Sequence, residues 1–305
     1  MNETRTYIIA RHTVRLNAAA RFPASLPASF DPFVSDSRAP ADLDVTFADT
    51  PATVSPQATV VDDTVSDMGR VCLLRDGQSW IVRLTDRTGA VHTLSADLLF
   101  SRALLHAEAS SPDAPAAVSS LLRIAFSQRI ITCGGLSVHA SAVVTPDGSG
   151  YLFLGPSGTG KSTHSRLWTE AVTGTRLLND DNPIITVEPD GSRILVHGSP
   201  WSGKTPCYTD SCAPLRGIAR LRKSDDNRFT ALHDVEAFAA ILPSCSTIRS
   251  HAPLHDRMCD TVAALATAVP TALMLCRPDR DAAITCSGEF RKTEKTNKYP
   301  HIPTK

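Results

Sequence analysis

The stretch Gly155-Pro156-Ser157-Gly158-Thr159-Gly160-Lys161-Ser162-Thr163 constrains this chain more than any other. It satisfies the pattern G-x-x-x-x-G-K-[ST] at every fixed position. The apolar run Gly150 to Leu154 before it reads as a buried strand, and Thr163 to Val172 after it reads as a helix. Strand, glycine loop and helix together make a phosphate cradle. Glycines let backbone N–H groups turn inward, and the helix N-terminus adds its positive end. In such a loop Lys161 reaches the β- and γ-phosphates and the Ser162 hydroxyl faces Mg²⁺. The competing interpretation, a chance glycine turn, lacks an explanation for the flanking strand and helix.

A chain of 305 residues accommodates one large domain or two smaller ones. The formal charge is zero, so no basic footprint for nucleic acid is expected. The eight cysteines are scattered with no C-x-x-C pair, and Cys207 and Cys212 lack the partners of a zinc site. Reduced cytoplasmic thiols are expected. The start of the chain offers only the four-residue apolar run Tyr7 to Ala10, too short for a signal peptide. The apolar stretch Thr261 to Cys276 is interrupted by Pro270 and falls short of the ~20 residues that span a bilayer. The expectation is a cytoplasmic protein with no membrane or nucleic-acid partner.

Residues 1–95 read as a β-rich region. Tyr7 to Leu16 suggests an edge strand, and the prolines between Phe22 and Asp44, Pro23 among them, suggest a loop or meander. Short β-type runs follow at Thr59–Val61, Val71–Leu74, Ser79–Leu84 and Val91–Leu94, with turns at Asp76-Gly77 and Thr88-Gly89. Leu98 to Ala107 suggests a short helix, and Ala116 to Arg129 carries a helical apolar stripe. Leu136 to Val144 reads as one strand that carries His139. Pro183–Val187 and Arg193–His197 suggest a hairpin around Asp190-Gly191. The alternation of strands and helices over residues 96–286 indicates an α/β domain. Residues 287–305 are polar and net basic and read as a disordered tail.

A second feature follows the glycine loop. Arg176-Leu177-Leu178 reads as the next strand and runs into Asn179-Asp180-Asp181. Paired acids at a strand end beside a phosphate loop suit Mg²⁺ and a general base. A polar turn is the plainer alternative, since Asp and Asn favour turns. The segment Gly198-Ser199-Pro200-Trp201-Ser202-Gly203-Lys204-Thr205-Pro206 holds a cation, an aromatic and hydroxyls in a loop. It could clamp phosphate or acceptor, or be ordinary surface.

The combination of GPSGTGKST, helix and LLNDD resembles the HPr kinase/phosphorylase catalytic domain and its relatives, and ATP-dependent phosphoenolpyruvate carboxykinases share a similar loop and acid pair. His139-Ala140-Ser141-Ala142-Val143 before the loop, the Gly198–Lys204 segment after it, and Cys276-Arg277-Pro278-Asp279 near the end resemble HPr-kinase-related bacterial proteins. The resemblance covers about Leu98 to Asp281 and implies a P-loop core of this type behind the β-rich N-terminal region. It further implies that Lys161 and the loop amides from Gly155 to Thr163 bind ATP, and that Ser162 and Asp181 hold Mg²⁺. Asp180 would be the general base, exchangeable with Asp181 in these roles; His139 would tune the pair, and Lys204 would stabilise the transferring phosphoryl.

The reading is an ATP- and Mg²⁺-dependent kinase that phosphorylates a hydroxyl, a serine of a protein or peptide or a small hydroxyl substrate. Homo-oligomers, common among HPr kinases, are compatible with it. A nucleotide-binding regulatory or maturation protein without transfer activity is the alternative. A carboxykinase acting on oxaloacetate is a third, disfavoured because the chain is short for that family.

Overall fold

The structure is a computed structural model that describes residues 3–19, 26–66, 68–188, 193–203 and 205–296. It is a mixed α/β chain with two compact units, Met1–Cys133 with Thr247–Asp256, and Gly134–Ser246 with Arg257–Lys305. Pro23, the Asp190-Gly191 turn and the last nine positions of the expected tail, 297–305, lie outside the described residues. No described helix is long and apolar enough to cross a membrane.

The first unit is built on one sheet of nine strands. They are β1 (Glu3–Ile9), β2 (His12–Ala18), β3 (Val34–Ser35), β4 (Leu43–Phe47), β5 (Thr59–Ser66), β6 (Gly69–Asp76), β7 (Ser79–Thr85), β8 (Val91–Asp97) and β9 (Arg102–His106). Their order is β3-β1-β2-β4-β9-β8-β7-β6-β5. Helix α1 (Ala114–Ile131) packs on β4, β7, β8 and β9 and buries its stripe Val118, Leu121, Leu122, Ala125 and Phe126. The second domain was expected to start at residue 96, yet β9 and α1 belong to this first unit.

Two local expectations are corrected here. Tyr7 to Leu16 is a hairpin of two strands, because Ala10 and Arg11 take φ of 48° and 70° and reverse the chain. Leu98 to Ala107 is not helical. The Asp97 carboxylate accepts hydrogen bonds from the N–H groups of Leu99, Ser101 and Arg102, holding a turn, and β9 then buries Ala103 and Leu105 while exposing Leu104. That period of two is a strand's.

A buried carboxylate is wired into this unit. Asp86 accepts hydrogen bonds from the N–H groups of Thr88 (2.8 Å) and Ala90 (3.0 Å), from the Thr88 hydroxyl (2.7 Å), and from the Ser111 hydroxyl. His92 Nε2 donates to it at 3.1 Å, while His92 Nδ1 accepts from the Glu108 N–H at 3.2 Å. Burial pushes the Asp86 pKa up. The bonds from Ser111, Thr88, His92 and Ala90 more than offset this, and it ends well below the usual carboxylate range.

The second unit holds β10 (Gly135–Ser137), β11 (Ala140–Val144), β12 (Gly150–Leu154), β13 (Arg176–Asp181), β14 (Ile184–Val187), β15 (Ile194–His197), β16 (Cys212–Lys223), β17 (Arg228–Leu232) and β18 (Thr271–Cys276). The order is β10-β14-β15-β16-β12-β11-β13, and β18 pairs with both β16 and β17. Pairings β12–β16 and β16–β18 are parallel. Helices are α2 (Lys161–Ala171), α3 (Asp234–Ile241), α4 (Ala252–Ala268, in this unit from Arg257) and α5 (Arg280–Thr296). Strands β11 and β12 are buried along their whole length, as apolar runs without alternation require.

Helices α2 and α5 pack against each other and share a core with Tyr151, Phe153, Ala219 and Met274. Helix α5 supplies Ala282, Ala283, Cys286 and Phe290 to it. The expected disorder from residue 287 is therefore corrected as far as Thr296. Phe290 is 1% exposed and packs its ring on Tyr151 at 5.4 Å and Phe229 at 5.0 Å. One apolar residue a turn beyond Cys286 anchors an otherwise polar segment. Gly217 makes room for it, since a Cβ there would lie 2.7 Å from the Phe290 ring.

Candidate active site

The glycine loop joins β12 to α2. Gly155, Gly158 and Gly160 take φ of 153°, 76° and 108°. At Gly158 and Gly160 only glycine adopts such values without strain, and a Cβ at either would enter open space. The Thr159 N–H and hydroxyl both bond to the Pro156 carbonyl, at 3.2 and 2.7 Å, which tightens the loop. Helix α2 opens at Lys161, with His164 N–H bonded to the Gly160 carbonyl at 2.8 Å. Pro156, Ser157, Gly158 and the Ser162 side of the first helical turn are exposed. Thr163 is half-buried on the same turn.

The rear face of α2 fixes the loop. The Ser165 and Ser141 hydroxyls meet at 2.5 Å, tying α2 to β11. His164 packs edge-on to Phe153 and accepts a bond from Trp168 Nε1–H at 3.1 Å. Burial lowers the His164 pKa to about 4, so its ring is neutral at pH 7.

Lys161 turns its ammonium toward three acceptors, the Gly155 carbonyl (2.9 Å), the Pro156 carbonyl (3.3 Å) and His139 Nε2 (2.8 Å). An ammonium only donates, so Nε2 accepts and Nδ1 carries the ring proton. That Nδ1 lies 3.1 Å from Asp181 Oδ1. Lys161, His139 and Asp181 thus form one continuous chain of polar contacts. Burial lowers the Lys161 pKa, and the charges of Asp181 and Asp180 partly restore it.

His139 does not sit on a strand, contrary to expectation. The run Leu136 to Val144 splits at Val138–His139, where β10 pairs with β14 and β11 pairs with β12 and β13. At the split, the His139 N–H bonds to the Ser244 carbonyl at 2.8 Å, and Val138 bridges Cys245. The change of partner strands frees the His139 side chain from the pleat and leaves it 45% exposed.

Asp180 and Asp181 end β13, opposite Ser141 and Ala140 of β11. Asn179, fully buried, organises both. Its Oδ1 accepts from the N–H groups of Asp181 (3.0 Å) and Asn182 (2.8 Å), and its Nδ2 donates to the Trp201 carbonyl at 2.9 Å. Asp180 is 4% exposed, yet among the described residues neither carboxylate oxygen has a hydrogen-bond partner. A buried carboxylate with no donor is costly unless something else supplies its partners.

The free edge of β13 is covered by the segment after β15. Ser202 bridges Asp181, and the Gly203 N–H bonds to the Asp180 carbonyl at 3.1 Å. Thr209 Oγ1 and the Cys207 thiol donate to the Leu178 carbonyl at 3.1 and 3.3 Å. A Cβ on Gly203 would lie 2.6 Å from that Asp180 carbonyl oxygen. Burial raises the Cys207 pKa, and the nearby Asp180 charge raises it further. Lys204, expected beside the transferring group, lies outside the described residues.

Carboxylates such as those of Asp180 and Asp181 are oxygen ligands of the kind a hard cation takes, and among the described residues the Asp180 oxygens meet no hydrogen-bond partner. Sequence reasoning singled out the acids but not Asn179 as their peg, nor Cys207 and Thr209 as the edge cover. The one available signal was a polar residue amid the apolar positions of a strand that must be buried.

No protein-family model matches the chain, and no curated protein does. Among solved structures, the HPr(Ser) kinase/phosphatase from Coxiella burnetii is 14% identical over 52% of this chain and 91% of its own, with a TM-score of 0.32. A likeness at that level adds nothing to the chemistry read from the residues themselves.

Proposed function

We propose that the second unit is an ATP- and Mg²⁺-dependent kinase that transfers a γ-phosphoryl group to a hydroxyl, a serine of a protein or peptide or a small hydroxyl substrate. The observation that carries this reading is Asp180, a buried carboxylate with no donor among the described residues, near a lysine that links a glycine loop, through His139, to the neighbouring acid. A base needs lone pairs not already taken by other donors, and no described residue donates to Asp180.

In this reading the amides of Gly158 and Gly160 and the Lys161 ammonium hold the phosphate oxygens. Ser162 and Asp181 hold Mg²⁺, whose charge offsets that building on the phosphoryl oxygens. Asp180 takes the hydroxyl proton, with exchange of roles between Asp180 and Asp181 as the alternative assignment. His139 keeps Lys161 and Asp181 in register by accepting from one and donating to the other. Lys204 is assigned to the transferring group on sequence grounds alone.

The test is incubation with γ-labelled ATP, Mg²⁺ and a cell extract. Wild type should label a discrete species, and Asp180→Asn should bind ATP and label none. Undiminished labelling by the variant would remove Asp180 from the base role. Absence of any labelling by wild type, with ATP bound, would leave a nucleotide-binding protein without transfer activity.

A further inference from the structure

The Cys276-Arg277-Pro278-Asp279 segment takes no part in the chemistry above, yet it is held as firmly as a working part. The Arg277 N–H bonds to Asn227 Oδ1 at 2.9 Å, and Asn227 Nδ2 donates to Asp279 Oδ1 at 2.8 Å. That same Asp279 oxygen accepts from the Ala282 N–H at the start of α5 (3.0 Å), and Arg277 Nε lies 2.8 Å from Asp279 Oδ2. The Ser224 N–H bonds to the Cys276 carbonyl at 3.2 Å. The turn therefore presents Arg277 and Pro278 in one fixed pose.

The turn and the glycine loop both line one cavity of about 420 Å³. Gly158 and Gly160 of the loop and Cys276, Arg277 and Pro278 of the turn line it together with Leu167 and Ser224. The volume lies within the roughly 300–1,000 Å³ range of small-molecule sites. Strand order gives the cavity a direction. β13, with the acid pair, lies on one side of β12, and β16 and β18 lie on the other. A triphosphate laid on the loop with its reacting end toward Asp180 has its opposite end directed toward β18 and this cavity.

We infer that the cavity between the glycine loop and the Cys276–Pro278 turn receives the nucleoside of the phosphate donor, with the planar Arg277 guanidinium and Pro278 flanking the base. The inference rests on the nucleotide reading proposed above. Apolar Leu167 and Pro278 suit a base face, and a guanidinium held by Asp279 is already oriented for stacking.

Calorimetric titration with Mg·ATP and with Mg·tripolyphosphate tests it, since the second ligand has the phosphates and no nucleoside. Wild type should bind ATP at least tenfold more tightly. Arg277→Ala and Ser224→Trp, the latter placing an indole at a lining position, should weaken ATP about tenfold and leave tripolyphosphate unchanged. In wild type, 8-azido-ATP should crosslink to the peptide containing residues 276–278. Equal affinity of the two ligands for wild type, equal weakening of both by the variants, or a crosslink elsewhere would overturn the subsite while leaving the nucleotide reading in place. Failure of wild type to bind either ligand would overturn both.

Discussion

Asp86 and Asp180 are buried to nearly the same degree, 5% and 4% exposed, and differ in everything else a carboxylate needs. Asp86, in the first unit, collects donors from Thr88, Ala90, Ser111 and His92. Asp180, in the second, collects none among the described residues. Each acid has a histidine in its vicinity, but His92 donates directly to Asp86, whereas His139 donates to Asp181 and leaves its neighbour bare. The first arrangement stabilises a fold. The second withholds stabilisation at a position where the chain could have supplied a hydroxyl or an amide, and local rules are broken in this way mostly at functional sites.

The contrast can be broken most directly at Asp180. Asp180→Asn should cut phosphoryl transfer by about 10²–10⁴-fold, the usual contribution of a general base. It should leave stability to denaturant unchanged or raised, because no hydrogen bond to the carboxylate is lost. If the variant instead unfolds as readily as one at Asp86, the two acids are alike and the contrast is wrong. Asp86→Asn should do the reverse. Loss of charge-assisted bonds at a buried site should cost ~3 kcal/mol in urea titration, with ATP affinity unaltered.

A smaller effect is expected at His139. His139→Gln should lower Mg²⁺-dependent transfer about ten- to a hundredfold, as for other residues that orient a metal-binding carboxylate. An unchanged Mg²⁺ requirement would detach His139 from Asp181. The smallest test uses pH. Asp86 has a depressed pKa in the folded state, so its stabilisation is fully present above the unfolded carboxylate value near ~3.9 and is lost as pH falls toward the folded value. The acid limb of the stability curve should therefore flatten in Asp86→Asn, and an unchanged slope in that variant would detach Asp86 from it.

Much of this was legible in the chain because local rules and the fold agree there. Glycines at 155, 158 and 160 announce the positive φ values that the loop adopts, and Arg176 to Asp181 reads as a strand with acids at its end. Where reading failed, long-range partners decided. His139 left its strand because residues far along the chain, Ser244 and Cys245, take the backbone bonds at the split. The segment after Cys286 looked too polar to order, and a single Phe290 locked between Tyr151 and Phe229 outweighed that composition. The cover on β13 comes from hydroxyl, thiol and backbone donors with no periodic pattern to betray them.

That cover limits how any acceptor can arrive. With Ser202, Gly203, Cys207 and Thr209 occupying the outer edge of β13, a peptide cannot lengthen the sheet there as an added strand. Recognition by backbone pairing is closed off at the acid pair. On the kinase reading proposed above, a peptide acceptor would have to offer its hydroxyl side chain first, and selectivity would come from what surrounds that residue, not from a register along a strand.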